Sequence, residues 1–383
     1  MSGPSYRHAR DGGIVDLEGA TVEFGIFHEF ERPPGWSEAQ AFEAAFELVD
    51  NAERWGLDAV WLAELHFTPE RSVLSAPLTL AGAIAARTRR IKIGTAVQVL
   101  PLCHPLQLAE EAATVDHISQ GRLIFGVGRS GFARVYAHYG VPYAESRERF
   151  AETLEIVKRA WTQETFSFEG EHFQFHDVCV VPKPYQTPHP AIRVAATSPD
   201  TFPSIGAQGY DIFAAVRLGT LSELAPNVSA YRASYAATGH AGRGQVFLRV
   251  PVYVADTLER AREEPRASIM QFYRHLGAQL EASARDAGAR AIEQRDVRGR
   301  RLQEISYDEV LRDKVIVGTP QMVIDRLRAV SDELGLDGIL AELNCGGDVP
   351  RDGVVRSLQL LCEEVMPAFR LLNAPSPSGR GLG

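Results

Sequence analysis

Short apolar runs of strand length alternate with amphipathic helical patterns along almost the whole chain, about eight times over. The runs at 22–27, 59–63, 91–97, 123–127, 192–195, 211–215, 247–254 and 338–343 are apolar nearly throughout. That pattern suits strands covered on both faces, as in parallel sheets flanked by helices. The helical stretches carry their own start signals. Ser37 and Gln40 form a capping box ahead of a stripe of Phe42, Ala45, Phe46, Val49 and Ala52, and Pro105 stands at the first position of another helix. Eight such units in 383 residues predict a (β/α)8 TIM barrel, a single domain over 21–373 with loose tails at 1–20 and 374–383. The competing architecture is an open doubly wound sheet. At this length it more often splits into two domains, and no Pro/Ser/Gly-rich break divides the chain.

Two stretches break the rhythm. Residues 165–181, containing F-S-F-E-G-E-H-F-Q-F, alternate about Glu169 and Gly170 and read as an inserted β-hairpin. Residues 291–314 hold few apolar side chains and are expected to form a long mobile segment before the last βα unit. Among partners, the formal charge of -9 and the scattered Lys and Arg argue against nucleic acid or an anionic membrane, which need clustered cations. The four cysteines, Cys103, Cys179, Cys345 and Cys362, make no C-x-x-C pair. A reduced, cytoplasmic setting fits, with no apolar run near the ~20 residues of a membrane span.

A barrel of this kind does its chemistry at the C-terminal ends of its strands. Residues 58–67 (D-A-V-W-L-A-E-L-H-F) pass from a buried run into Glu64 and His66, an acid–base pair at such an end or, equally, an exposed loop. Gly126, Gly128 and Gly131 in G-V-G-R-S-G have dinucleotide-fingerprint spacing but lack the helix at the third glycine and the acid ending the next strand. The glycines read better as letting a strand end lie close beneath a flat ring, with Arg129 supplying positive charge for a phosphate; the alternative is a tight loop with an exposed arginine. Residues 195–201 (A-A-T-S-P-D-T) then offer Thr197, Ser198 and a helix start at Thr201 to phosphate oxygens. His104, before Pro105, reads as a cap, a solvent-facing side chain or a catalytic group; His117 reads as structural. His172, His176 and Asp177 have a spacing that metals use, with no further ligand converging on them. Phe27, Phe30, Phe132 and Tyr136 are candidates for an apolar pocket mouth or for the core.

Taken in order, W-L-A-E-L-H-F, I-G-T-A-V-Q-V-L-P-L-C-H-P, S-Q-G-R-L-I-F-G-V-G-R and V-G-T-P-Q resemble the bacterial luciferase-like flavin monooxygenases, over about 24–369. The resemblance implies a (β/α)8 barrel, commonly dimeric, that uses reduced FMN from a separate flavin reductase and molecular oxygen, through a flavin 4a-peroxide, on a small organic substrate. It places Ala96 and Val97 beneath the flavin ring across a non-proline cis peptide, and Gly128 and Arg129 beside ring and phosphate. It also places Thr197, Ser198 and Thr201 around the phosphate, and Glu64, His66 and His104 on the reactive side. Two positions depart from the light-emitting catalytic subunit: Leu65 stands for a histidine and Gly128 for a reactive cysteine. Within the same barrel, a deazaflavin-dependent oxidoreductase and a non-catalytic flavin-binding partner subunit are the alternatives.

Overall fold

The computed structural model describes residues 22–216, 219–284 and 292–370, so the expected tails at 1–20 and 374–383 lie outside the described residues. Eight strands run parallel: β1 (Glu23–His28), β2 (Ala59–Leu62), β3 (Lys92–Thr95), β4 (Leu123–Gly128), β5 (Ala191–Ala195), β6 (Asp211–Ala215), β7 (Val246–Val254) and β8 (Gly338–Glu342). Each pairs with the next in sequence, and β8 returns to β1 with Gly338 opposite Glu23, closing the (β/α)8 barrel. The first helix, Glu38–Arg54, has the Ser37/Gln40 capping box in place, and Pro105 opens the helix Pro105–Ser119.

The strand period of two sorts the side chains into two cores. Phe24, Ile26, Val60 and Leu62 face the helical shell, whereas Phe27, Ala59, Trp61, Ile124, Phe213, Phe247 and Leu340 face the axis. Trp61 fits there because its partner on β3 is Gly94 and its ring lies over Gly25 of β1: a Cβ at either glycine would collide with the indole. Beside it Arg193 lies 3.3 Å from the Phe247 ring centroid and 4.8 Å from that of Trp61, and its Nη1 donates to Glu23 at 3.0 Å. The interior is therefore packed, and the open chemistry is left to the mouth.

The insertion is a hairpin, Phe166–Glu169 paired antiparallel with Gln174–Val178. Its turn is pinned by Glu152, whose carboxylate accepts the N–H groups of Glu171, His172 and Phe173 at 2.7, 3.0 and 3.2 Å. The expectation of a mobile stretch at 291–314 is corrected. Ile292–Glu304 and Tyr307–Asp313 are helices, the second with a Ser306/Glu309 capping box. Leu302, Ile305 and Val310 join Ile269, Phe272, Tyr273, Leu276 and Leu280 in a second core. The apolar content is low because the helices Arg266–Ala284 and Ile292–Glu304 cross at glycines. A Cβ on Gly277 would lie 2.6 Å from the Gly299 carbonyl oxygen, so the contact is made by backbone and needs few large side chains.

Candidate active site at the barrel mouth

At the end of β2 the chain turns outward, and Glu64 becomes the hub of a buried polar cluster. One carboxylate oxygen accepts from Gln98 Nε2 at 2.7 Å and from the Val99 N–H at 2.8 Å, while the other lies 2.8 Å from His66 Nε2. The side chains of Glu64 and His66 are 4% and 10% exposed. Cys103 sits against the same group, its Sγ 3.4 Å from Gln98 Nε2, and burial together with the Glu64 charge pushes its thiol up to about 12. It stays a thiol at neutral pH. The other ring nitrogen of His66, Nδ1, lies 3.1 Å from the Tyr139 hydroxyl. The structure thus joins Glu64 and His66 as the sequence reading expected, and adds Gln98 and Tyr139.

The neighbouring strand end supplies a smooth apolar surface. The Ala96–Val97 peptide is cis, both residues are partly exposed, and together with Leu65 they pack on the interior cluster of Phe27, Ala63 and Phe213. Gly128 faces them: a Cβ there would collide with Val97 Cγ2 and lie 3.4 Å from the Ala195 Cβ. Gly126 is equally confined, with the Thr95 carbonyl where its side chain would be, and Thr95 Oγ1 donates to the Gly126 carbonyl at 2.6 Å. The glycine spacing therefore serves close approach of β3 to β4. A six-residue helix, Ala133–His138, starts two positions beyond Gly131, and the next strand ends in Ala195 rather than an acid.

The third part is a set of anion-suited groups on the ends of β4 and β5. Half-buried Arg129 donates to Ser146 Oγ at 2.8 Å and lies over the Tyr143 ring at 5.8 Å. Next along the chain, Arg147 bonds Asp200 at 3.2 Å, and Asp200 accepts from Ser198 Oγ at 2.5 Å. The Ser198 and Arg147 contacts hold the Asp200 carboxyl below the ordinary range. The N–H groups of Thr197 and Ser198 both turn onto Thr201 Oγ1 at 3.2 Å. Two consecutive residues, Ser146 and Arg147, thus tie the Arg129 guanidinium and the hydroxyl-bearing turn at 198–201 to one helix start, with the Asp200 carboxylate among them.

Other expectations land elsewhere. His104 occupies the cap position of its helix with no side-chain cap bond, and its ring contacts are with Phe173 and Phe175 of the hairpin, not with Glu64 or His66. His117 bonds the Lys183 carbonyl at 2.9 Å. His172 lies 3.6 Å from Glu145, and among the described residues no three His, Cys, Asp or Glu side chains converge as a metal site. Phe30 and Tyr136 are fully buried; the Tyr136 hydroxyl caps the Arg129 carbonyl, and Phe132 packs against the second core. Phe27 faces the barrel interior. Arg147, Ser146 and Gln98 went unread because each is an ordinary polar residue on a helix or strand. Only the closed barrel brings them to the site.

A packed parallel barrel with an acid–base pair, an apolar shelf and an anion-suited cluster on successive strand ends makes the mouth of this (β/α)8 fold the candidate active site. The sequence signature described as luciferase-like monooxygenase matches residues 22–338, and the chain belongs to that family. It is 28% identical over 357 residues to the oxygenase component of a flavin-dependent trigonelline monooxygenase from Acinetobacter baylyi, covering 91% of this chain and 96% of that one. Over 180 residues, 47% of this chain and 49% of the other, it is 31% identical to the alkanal monooxygenase alpha chain of Photorhabdus luminescens. In three dimensions it is similar to monooxygenase RslO1 from Streptomyces bottropensis, with a TM-score of 0.74, 27% identity, and coverage of 91% of this chain and 100% of that one.

Proposed function

We propose that the chain is the oxygenase component of a two-component monooxygenase, a homodimer that takes reduced FMN from a separate flavin reductase and oxygenates a small organic substrate with molecular oxygen. The observation that carries this reading is the placement of the shelf of Ala96, Val97 and Gly128 between the Glu64–His66 pair and the Arg129 cluster. A flat ring with a phosphate tail needs those three surfaces in that order. Arg129, Thr197, Ser198 and Thr201 would hold the phosphate, and the missing Cβ at Gly128 lets Val97 lie down against β4, which keeps the shelf low beneath the ring. Reduced flavin, when bound, supplies the reaction with oxygen.

The chain's own groups do the rest. Glu64 fixes the His66 ring and His66 holds or releases a proton at its nitrogens, the role imidazole fills best near neutral pH. Leu65 and the interior aromatics keep water from the reactive side. His104, set against the hairpin, walls the mouth. Anaerobic titration with reduced FMN and with a deazaflavin tests the cofactor. Tighter binding of reduced FMN is expected, and preferential binding of the deazaflavin would replace this reading with hydride transfer on the same barrel.

A further inference from the structure

We infer that Tyr139 is a positioning residue of the reaction, the outer member of a Tyr139–His66–Glu64 relay that fixes the His66 tautomer and links it to solvent; this rests on the function proposed above. Proton roles follow from counting donors. The Glu64 oxygen that meets Gln98 and Val99 already accepts two hydrogen bonds, and the other faces His66 Nε2 at 2.8 Å. A carboxylate that only accepts must be met by Nε2–H, so in the neutral imidazole Nδ1 carries the lone pair. The Tyr139 hydroxyl, 3.1 Å from Nδ1, is therefore the donor. Burial, with the charge of Glu64 nearby, raises the Tyr139 phenol above its ordinary value, so it remains a protonated donor across the neutral range.

The surroundings hold this arrangement and lead it outward. Tyr139 is 45% exposed, whereas the His66 and Glu64 side chains are buried, so the relay has a wet end and a dry end. The phenol stands at the end of the helix Ala133–His138, with the His66 ring edge-on at 5.2 Å. Phe67, in the left-handed region at φ 58°, places its ring 5.8 Å from Tyr139 and 4.8 Å from His138. A loop residue other than glycine is held there only by its packing, and here the packing is the helix that carries Tyr139. When Nε2 passes its proton to Glu64, Nδ1 takes the phenol proton and the phenol is reprotonated by water at its exposed end, so the pair is recharged without opening the mouth.

The test uses the full chain with 15N-labelled histidine, free and loaded with FMN, the His66 signals being assigned by their loss in His66→Asn. The native protein is expected to show His66 as the Nε2–H tautomer in both states, with a hydrogen-bonded Nδ1. Tyr139→Phe keeps the ring but removes the donor. It should move the Nδ1 resonance toward that of a free nitrogen, leave FMN affinity within twofold, and slow oxygen consumption with reduced FMN roughly tenfold. Glu64→Gln should shift the tautomer balance toward Nδ1–H. A native Nδ1–H tautomer, or a Nδ1 signal unmoved in Tyr139→Phe, would overturn the relay. If the signals behave as expected but neither protein binds FMN, the relay stands and the flavin reading falls.

Discussion

Gly128 and Val97 approach each other so closely that no side chain can be placed between them: a Cβ on Gly128 would lie 3.2 Å from the Val97 Cβ and collide with Cγ2. These two residues, from neighbouring strand ends, set the height of the shelf. Gly128→Ala should therefore cost about 1–3 kcal/mol, as overpacking does, and lift Val97 toward the space assigned to the flavin. Urea unfolding together with FMN titration measures both. Native stability with unchanged affinity would mean that Val97 has room the structure does not show.

Glu64 accepts hydrogen bonds from a buried backbone N–H, a buried amide and His66. Removing it strands those donors away from water. Glu64→Ala should lower stability by about 2–4 kcal/mol, far above the effect of a surface carboxylate. Chemical denaturation of the unloaded protein gives the value directly, and a loss under about 0.5 kcal/mol would place Glu64 in solvent.

Lys314 reports on the second core. Burial depresses its ammonium from 10.5 to about 8, with Glu223 and Asp313 only partly opposing the shift, and its Nζ donates to the Gly219 carbonyl at 2.5 Å. Between pH 8 and 10.5 the unfolded chain binds the extra proton, so stability rises with pH through that window. Below pH 8 this contribution is level. Urea midpoints at pH 7.5, 9 and 10.5, an assay series chosen around those values, should show that rise in the native protein and its absence in Lys314→Met. Parallel curves in the two proteins would place the ammonium in water.

Leu65 packs against the barrel interior with Ala96 and Val97, so it fills volume where the light-emitting relatives carry a histidine. Mixed with reduced FMN and a long-chain aldehyde, the native protein should give no luciferase-like light. Leu65→His should introduce a new pH dependence into oxygen consumption near the ordinary imidazole value, about 6.5. Bright native emission, or identical pH profiles, would mean that position 65 lies away from the reacting groups.

The barrel was legible because its strands are buried on both faces, and runs such as A-V-W-L at Ala59–Leu62 have few other homes. Glu64 and His66 were legible for the same reason, since they end such a run. What the chain does not display is contact between distant segments. Tyr139 looks like any aromatic on a short helix until its hydroxyl meets His66, 73 residues away. The helix Ile292–Glu304 reads as a polar loop because Gly277 and Gly299 let backbones pack where leucines are normally sought.

Loading the protein anaerobically with reduced FMN and mixing it with oxygenated buffer tests the central claim most directly, with Arg129→Ala in parallel. The expected result is that bound flavin reoxidises more slowly than free reduced FMN and, with no organic substrate present, releases its hydrogen peroxide correspondingly later. Arg129→Ala should need about 10–100-fold more FMN to reach the same state, the range set by losing charge-assisted hydrogen bonds to a phosphate. Reoxidation at the rate of free flavin in the native protein, or an FMN affinity indifferent to Arg129, would contradict it.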